Sequence, residues 1–276
     1  MSTNPSVKPS RVLIIAGSDS SGGAGIQADI KTVTALGGYA MTAITALTAQ
    51  NTRGVFGIHE VPTDFIKQQI SLVAEDVGVD VVKTGMLHNT AVIDTVVSAL
   101  QQYCPKAAVV VDPVMIAKGG QALLQPDAGA ALKNKLLKLA TVLTPNLPEA
   151  EALVGFPVQN EKDMRQAGTA LLAFGPKAVL VKGGHLTGER IIDVLVTAAG
   201  VLRFEDRRID TVHTHGTGCT LASAIATGIG QGLTIEASVR RARAYVMEAI
   251  RTAPGFGHGH GPLNHLHTVG AYLTKR

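Results

Sequence analysis

The 276-residue sequence has no tryptophan, and aromatic residues make up only 4% of it. Proteins that bind single-stranded nucleic acid stack the bases on aromatic side chains, so this scarcity argues against that class. The net charge is only +4, and the basic residues are dispersed apart from "RRAR" at 240–243. We interpret that cluster as the solvated face of a helix and expect no nucleic-acid partner.

Cysteines are few, and long apolar runs are absent. Cys104 and Cys219 are the only two cysteines, too few for a disulfide framework. No run of 18 apolar residues occurs, which predicts that no segment spans a membrane. The polar start "MSTNPSVKPSR" lacks the apolar stretch of a secretion signal. We therefore expect a cytoplasmic protein without a membrane partner, with residues 1–10 as a disordered tail.

The sequence is rich instead in apolar residues, at 46%, and in glycine, with 30 residues. Short apolar runs that end at glycine or proline alternate with segments of helical periodicity. Strands that are apolar throughout are covered on both faces, which predicts a parallel sheet between helices in a single α/β domain over residues 11–276. The predicted strands are 11–17, 41–50, 79–85, 107–113, 141–146, 178–184 and a hairpin at 190–209. The predicted helices lie about 23–38, 63–78 (with Thr63 as N-cap), 89–103, 127–140, 161–174, 219–232 and 234–252, and a further helix begins at Pro148.

Polar residues and glycines stand where these strands end. Ligands of such sheets bind beyond the carboxyl ends of the strands. The sequence therefore predicts one cleft formed by 17–19, 50–51, 85–86, 112–113, Asn146 and 182–184.

The stretch "HGTGCT" at 215–220 precedes a run of small apolar residues typical of a helix. Backbone N–H groups in a glycine turn, together with a helix N-terminus, form a site for an anion, most naturally a phosphate. We expect Gly216, Thr217, Gly218 and Cys219 to form that site, and the helix terminus to lower the pKa of the thiol. The alternative is a plain strand-to-helix turn with Cys219 as a small buried residue.

A second glycine-rich stretch, "AGSDSSGGAGIQAD", follows the first predicted strand. Its glycines lack the G-x-G-x-x-G spacing of a dinucleotide site, and no Walker A motif is present. We interpret this stretch as one wall of a ligand-binding site that is neither a dinucleotide site nor a Walker A loop. Asp29 lies four residues after Gly25, so it either points back to the cleft or occupies a solvated helix position.

Three further groups of residues suggest ligand chemistry. In "TPNLPEAE", Asn146 and Glu149 could hold Mg²⁺ through water beside phosphates, or Glu149 could simply complement the helix dipole. Lys182 could pair with phosphate or be merely exposed, and Lys83 and Lys118 are similar candidates. Four of the nine histidines lie at 257–267, but their spacing matches no standard zinc pattern, and we interpret His213 and His215 as strand-end residues.

Taken in order, several stretches resemble one family: "AGSDSSGGAGIQADIKT", "TALTAQNTRGV", "KTGML", "DPVM", "TPNLPEAEAL", "VLVKGGH" and "HTHGTGCTLASAIA". They are similar to bacterial hydroxymethylpyrimidine/phosphomethylpyrimidine kinases over residues 11–267. The resemblance implies a ribokinase-like three-layer sandwich with a mostly parallel central sheet, and a homodimer. It also implies two ATP-dependent phosphorylations of 4-amino-5-hydroxymethyl-2-methylpyrimidine, to the monophosphate and then the diphosphate, in thiamine biosynthesis.

The resemblance also implies roles for single residues. Cys219 stands where the wider superfamily usually has a catalytic aspartate, at the end of the anion-binding glycine turn. Gln50 would contact the pyrimidine, Lys182, Asn146 and Thr217 would bind ATP, and Glu149 would hold Mg²⁺ through water. Four more residues would line the substrate pocket: Gly17, Asp29, Met86 and Val114.

The chemistry that follows leaves alternatives open. The alcohol acceptor of the first step must lose a proton, and a thiolate at Cys219 could take it. Pyridoxal could be the substrate, or a second one; a non-catalytic pyrimidine sensor and a nicotinamide dehydrogenase are weaker alternatives. We expect the segment 117–129 to close over the site, hinged at Gly119 and Gly120.

Overall fold

The computed structural model describes residues 9–117 and 119–269. Its strands form one nine-stranded sheet in the order β3-β2-β1-β4-β5-β6-β7-β8-β9. The strands are β1 Arg11–Asp19, β2 Tyr39–Asn51, β3 Gly54–Glu60, β4 Val81–Thr84, β5 Ala108–Val111, β6 Val142–Leu143, β7 Ala178–Lys182, β8 Arg190–Thr197 and β9 Gly200–Arg207. The α-helices are α1 Gly25–Ala35, α2 Thr63–Asp76, α3 Thr90–Tyr103, α4 Ala128–Asn134, α5 Leu147–Val154, α6 Glu161–Leu172, α7 Thr217–Gly230 and α8 Ile235–Arg251.

The interior of the sheet is parallel, and both of its edges are antiparallel. Strands β2, β1, β4, β5, β6 and β7 pair in parallel. Strand β3 folds back on β2, and the predicted hairpin of β8 and β9 closes the other edge. The sequence analysis assigned no structure to β3, because its half-exposed residues contain no continuous apolar run.

Helices cover both faces of the sheet, which gives three layers. Leu13 and Ile15 of β1 pack in one core with the buried residues of α2 and α3. Val12 and Ile14 point to the opposite face, into a second core with α1, α7 and α8. This separation follows from the alternation of side chains along a strand, and it confirms the predicted α/β sandwich. Among the described residues, no helix is long and apolar enough to cross a membrane.

Several predicted boundaries differ from the structure. Pro62, not Thr63, is the N-cap of α2. The helix predicted at 127–140 is interrupted after Asn134, and a 3₁₀ turn, Leu136–Leu139, follows. Helix α7 begins two residues earlier than predicted, at Thr217. Of the predicted tail, residues 1–8 lie outside the described part, whereas Ser10 is buried and its carbonyl accepts a hydrogen bond from the Tyr39 amide, so Ser10 belongs to the folded chain.

Candidate active site

A cleft of about 910 Å³ lies beyond the carboxyl ends of the parallel strands. The residues that the sequence analysis placed at those ends meet there, although they come from all parts of the chain. The cleft is lined by Gly17, Gln50, Met86, Val114, Asn146, Glu149, Lys182 and residues 216–219. Asp29 is not among the lining residues.

The glycine turn before α7 has the geometry of an anion site. Gly216 is the N-cap of α7 with φ 83°, and no side chain caps the helix. A Cβ on Gly216 would overlap the Gly23 carbonyl oxygen, so only glycine fits here. Helix N-termini leave amides unpaired, and those of Gly218 and Cys219 in the first turn of α7 can therefore bind a negatively charged group.

The thiol of Cys219 lies in this turn, but it is not activated as predicted. Burial raises its pKa to about 12, against the opposing effect of the Lys83 ammonium, while the Asp29 carboxylate raises it further. The predicted lowering of the thiol pKa is therefore wrong, because the loss of solvation outweighs the lowering by Lys83 and by the hydrogen bond from the Gly25 backbone. The side chain is partly exposed at the cleft and is a neutral thiol at physiological pH.

Asp29 takes part in a buried ion pair beneath the turn. Its two carboxylate oxygens lie 2.9 and 2.8 Å from Nζ of Lys83, and Ser223 Oγ donates to one of them at 2.7 Å. Asp29 and Lys83 are both fully buried. Asp29 is therefore neither a pocket residue nor a solvated one, which corrects its assignment as a substrate contact: it supports the floor below Cys219.

Asn146 and Glu149 form a reciprocal cap at the start of α5. The Asn146 side chain accepts from the Glu149 amide at 2.9 Å, and the Glu149 carboxylate accepts from the Asn146 amide at 2.8 Å. This is the capping box of a helix N-terminus, so helix stabilisation accounts for both residues locally. Glu149 nevertheless faces the cleft, and burial raises its pKa to about 7, an effect that nearby Lys182 opposes.

Lys182 lies between Asp112 and the glycine turn before α7. Its ammonium is 3.0 Å from Oδ1 of Asp112, and its side chain is only 13% exposed, so the alternative of a merely exposed lysine is wrong. A Cβ built on Gly218 would lie 3.3 Å from Lys182 Nζ. The cation and the free amides of α7 therefore face the same small region. Lys118 lies outside the described residues.

His215 is the residue whose role the sequence analysis missed. Its Nε2 lies 2.8 Å from Oδ2 of Asp19 and 3.3 Å from the side-chain amide of Gln50. Asp19 and Gln50 lie at the ends of the neighbouring strands β1 and β2, but His215 is 196 residues from Asp19 and 165 residues from Gln50 in the chain. The sequence feature connected with this contact is Gly23, because a Cβ at position 23 would overlap the His215 ring.

The histidine-rich segment forms a wall near the cleft. The His260 amide donates to the Thr52 carbonyl at 2.8 Å, and the amides of His258 and Gly259 donate to the Thr52 hydroxyl at 3.2 Å. A Cβ on Gly257 or Gly259 would overlap Thr52, which accounts for both glycines. Within the described residues, no group of three or more His, Cys, Asp or Glu side chains could hold a metal ion.

Comparison with known proteins identifies the family of this chain. The phosphomethylpyrimidine kinase family model matches residues 19–264. The thiamine biosynthesis bifunctional protein ThiED of Geobacter sulfurreducens is 51% identical over 92% of this chain, which spans about half (52%) of that longer protein. The hydroxymethylpyrimidine/phosphomethylpyrimidine kinase of Escherichia coli is 46% identical over 95% of this chain and 99% of its own length.

Solved structures give the same result. The phosphomethylpyrimidine kinase of Clostridium difficile aligns with a TM-score of 0.78 at 45% identity, covering 87% of this chain and 99% of that one. The ADP complex of Bacillus subtilis pyridoxal kinase aligns with a TM-score of 0.86 at 34% identity, covering 94% and 98%. The fold is therefore ribokinase-like, and the nicotinamide dehydrogenase alternative is wrong. The chain belongs to the phosphomethylpyrimidine kinase family.

Proposed function

We propose that this protein phosphorylates 4-amino-5-hydroxymethyl-2-methylpyrimidine with ATP, and then phosphorylates the resulting monophosphate to the diphosphate, in thiamine biosynthesis. The observation that carries the proposal is the arrangement of the cleft. The uncapped N-terminus of α7 and the amide of Gln50 line the same cavity, in a chain of the phosphomethylpyrimidine kinase family. A migrating phosphoryl group and a polar heterocycle can therefore be held side by side.

On the acceptor side, Gln50, Gly17, Met86 and Val114 would hold the pyrimidine. A primary amide carries both donors and an acceptor, which match an exocyclic amine beside a ring nitrogen. Met86 and Val114 supply apolar contact for the flat ring. A pocket with such a polar group rejects analogues that lack the matching group more strongly than an apolar pocket does.

On the nucleotide side, Lys182, Thr217 and Asn146 would meet the ATP phosphates. Staphylococcus aureus pyridoxal kinase, a structural neighbour at 32% identity with a TM-score of 0.86, has been solved with AMP-PCP and pyridoxal together. That complex contains a nucleotide analogue and an acceptor together, which supports the proposal that this protein also binds both. Phosphoryl transfer depends mainly on positioning and charge stabilisation, which a lysine and helix amides provide.

Mg²⁺ would bind near Glu149 and Asp112. The described residues offer no complete protein cage, but Mg²⁺ characteristically uses one or two carboxylates together with water and substrate phosphates. Asp112 raises the pKa of Glu149 further through its charge, and both carboxylates line the cleft. They fit a water-mediated site, in which the metal ion would neutralise charge on the phosphates.

Cys219 would line the anion site as a neutral group. The raised pKa removes the resting thiolate that a general base would require. In the first step, the substrate hydroxyl oxygen forms a bond to the γ-phosphorus while the bond to the leaving ADP oxygen breaks. The hydroxyl proton then departs late, to an oxygen of the transferred phosphoryl group or to water, because a loose transition state needs little help from a base.

The substrate class is tested with a panel in an ADP-release assay with and without magnesium. The panel contains the aminopyrimidine alcohol, its monophosphate, pyridoxal and pyridoxine. We expect the two pyrimidines to react fastest, and only with magnesium. Fastest turnover of pyridoxal would overturn the assignment in favour of the alternative that the structural neighbours suggest. Tight binding of the pyrimidine without any ADP release would instead indicate a sensor.

We also propose that residues 11–276 form a single domain that works as a cytoplasmic homodimer. Support for the assembly comes from the family resemblance alone. Sedimentation equilibrium of the purified chain decides it, because a monomer mass at micromolar concentration would contradict the dimer.

A further inference from the structure

The His215 ring is fixed between Asp19 and the substrate-facing amide of Gln50. Its side chain is 8% exposed and that of Asp19 is 3% exposed. Its backbone amide donates to the Gly261 carbonyl at 3.1 Å, and Gly23 leaves room for the ring on one face. The ring therefore has little freedom to rotate away from Asp19.

The hydrogen bonds around Asp19 decide which ring nitrogen carries a hydrogen. Oδ1 accepts from the amide and hydroxyl of Ser21, and Oδ2 accepts from the Ala24 amide. Burial raises the pKa of Asp19, but the hydrogen bonds from His215 and Ser21 outweigh it and lower the pKa to about 2. An ionised carboxylate can only accept, so Nε2 of His215 must be the donor.

That donor constrains the amide of Gln50. The structure places the NH₂ group of Gln50 3.3 Å from His215 Nε2, which would oppose a donor to a donor. Because the two ends of an amide are assigned from their hydrogen bonds, we infer the opposite orientation, with the Gln50 carbonyl oxygen toward His215. The other end of the amide then faces the Thr48 hydroxyl, at 3.0 Å. Thr48 already donates to the Ser18 carbonyl at 2.9 Å, so its oxygen is free to accept from the NH₂ group.

We propose that His215 is a positioning residue that determines substrate specificity. Held by Asp19 with hydrogen on Nε2, it fixes the Gln50 amide with its carbonyl toward His215 and its NH₂ toward Thr48. The fixed amide then selects an acceptor that offers an amine and a ring nitrogen in the matching order. The inference rests on the proposed function. The acceptor hydroxymethyl group must face α7, which fixes the direction of the ring in the cleft. The order of amine and ring nitrogen along the pocket edge is therefore fixed as well, and only one orientation of the amide matches it.

The kinetic test compares the aminopyrimidine alcohol with the same alcohol lacking its 4-amino group. His215→Leu removes the donor, and we expect the preference in kcat/KM for the amino compound to fall about tenfold, mainly through KM. His215→Gln keeps an N–H donor and should restore most of the preference. In a Gln50→Leu background, His215→Leu should cause no further loss. His59→Leu, on the exposed part of β3, is the matched control and should leave the preference unchanged.

A merely structural role would give a different pattern. Equal loss for both alcohols in His215→Leu, or full additivity with Gln50→Leu, would overturn the inference. A spectroscopic measurement decides it without any turnover: ¹H–¹⁵N correlation of the free protein should show His215 with hydrogen on Nε2, a signal absent from His215→Gln. Hydrogen on Nδ1 alone would overturn the inference. If the wild type phosphorylates neither pyrimidine, the proposed function fails, and the spectrum still decides whether His215 carries hydrogen on Nε2, from which the amide orientation is inferred.

Discussion

Helices α5 and α7 both begin at the rim of the same cleft, yet their N-termini are completed in opposite ways. Asn146 and Glu149 satisfy the first turn of α5 from within the chain. The first turn of α7 follows a left-handed glycine and has no side-chain cap. The difference shows how one structural element serves two purposes: a capped terminus contributes stability, whereas an uncapped terminus retains binding capacity for a ligand.

The largest expected effect concerns the thiol at the uncapped terminus. Because the pKa of Cys219 is about 12 rather than near 8.5, its alkylation by iodoacetamide at pH 8 should be slower than that of a free thiol by on the order of a thousandfold. Mass spectrometry after timed quenching measures the rate, and Cys219→Ala identifies the signal of Cys104. Alkylation at the ordinary rate would show that the helix terminus, not burial, governs this site.

The next effect comes from filling the glycine turn. Gly216→Ala places a methyl group against the Gly23 carbonyl oxygen, so the turn must open and its amides move away from the phosphoryl group. We expect kcat/KM to fall by about 100-fold. Gly232→Ala is the matched control, because Gly232 has nearly the same φ of 85° but open space around it. Steady-state kinetics that leave Gly216→Ala fully active would contradict an anion site at this turn.

A smaller effect should appear in the pH dependence of stability at the capped terminus. The pKa of Glu149 rises from 4.5 to about 7 on folding, so its contribution to stability is complete below pH 4.5 and is lost as the pH rises through 7. Relative to Glu149→Gln, the wild type should lose on the order of 2 kcal/mol of unfolding free energy between these values. Urea titrations at each pH measure it.

The control for that titration is Glu236→Gln, which changes a first-turn glutamate of α8 whose side chain is 43% exposed. This variant shows what the loss of a first-turn glutamate does by itself. A constant difference between wild type and Glu149→Gln across the whole range would contradict a buried carboxylate with a raised pKa.

The smallest effect separates capping from catalysis. Asn146 and Asn160 both accept a hydrogen bond from the third amide of their helices, at 2.9 and 3.0 Å. Alanine at either position should cost about 1 kcal/mol in thermal or urea unfolding. Only Asn146→Ala should also impair turnover, because α6 begins on the exposed surface and α5 begins in the cleft. Equal turnover in both variants would make Asn146 a cap alone.

The sequence was sufficient for the architecture and for the position of the cleft. Runs of β-branched residues that end in glycine or proline predicted the inner strands. Because ligands bind beyond the carboxyl ends of parallel strands, the sequence also predicted that Gln50, Met86, Lys182 and the turn of α7 line one cleft. Local patterns fix these features, because a parallel strand buried on both faces must be apolar along its length.

The features that the sequence did not reveal depend on contacts between distant segments. Asp29 could not be placed, because its partners Lys83 and Ser223 lie on β4 and α7. The pKa of Cys219 follows from desolvation, which no local motif encodes. The pairing of Asp19 with His215 joins the end of β1 to the segment before α7, far apart in the chain. Strand β3 was missed because a half-exposed edge strand has no apolar run.

The contacts between Thr52 and residues 257–260 have a consequence for the order in which the protein folds during translation. All nine strands are translated by Arg207, whereas α7 and α8, which cover one face of the sheet, follow. The anion turn and the last wall of the pocket are also translated afterwards. A nascent chain arrested before residues 257–260 would therefore contain every strand of the sheet but lack a complete substrate pocket.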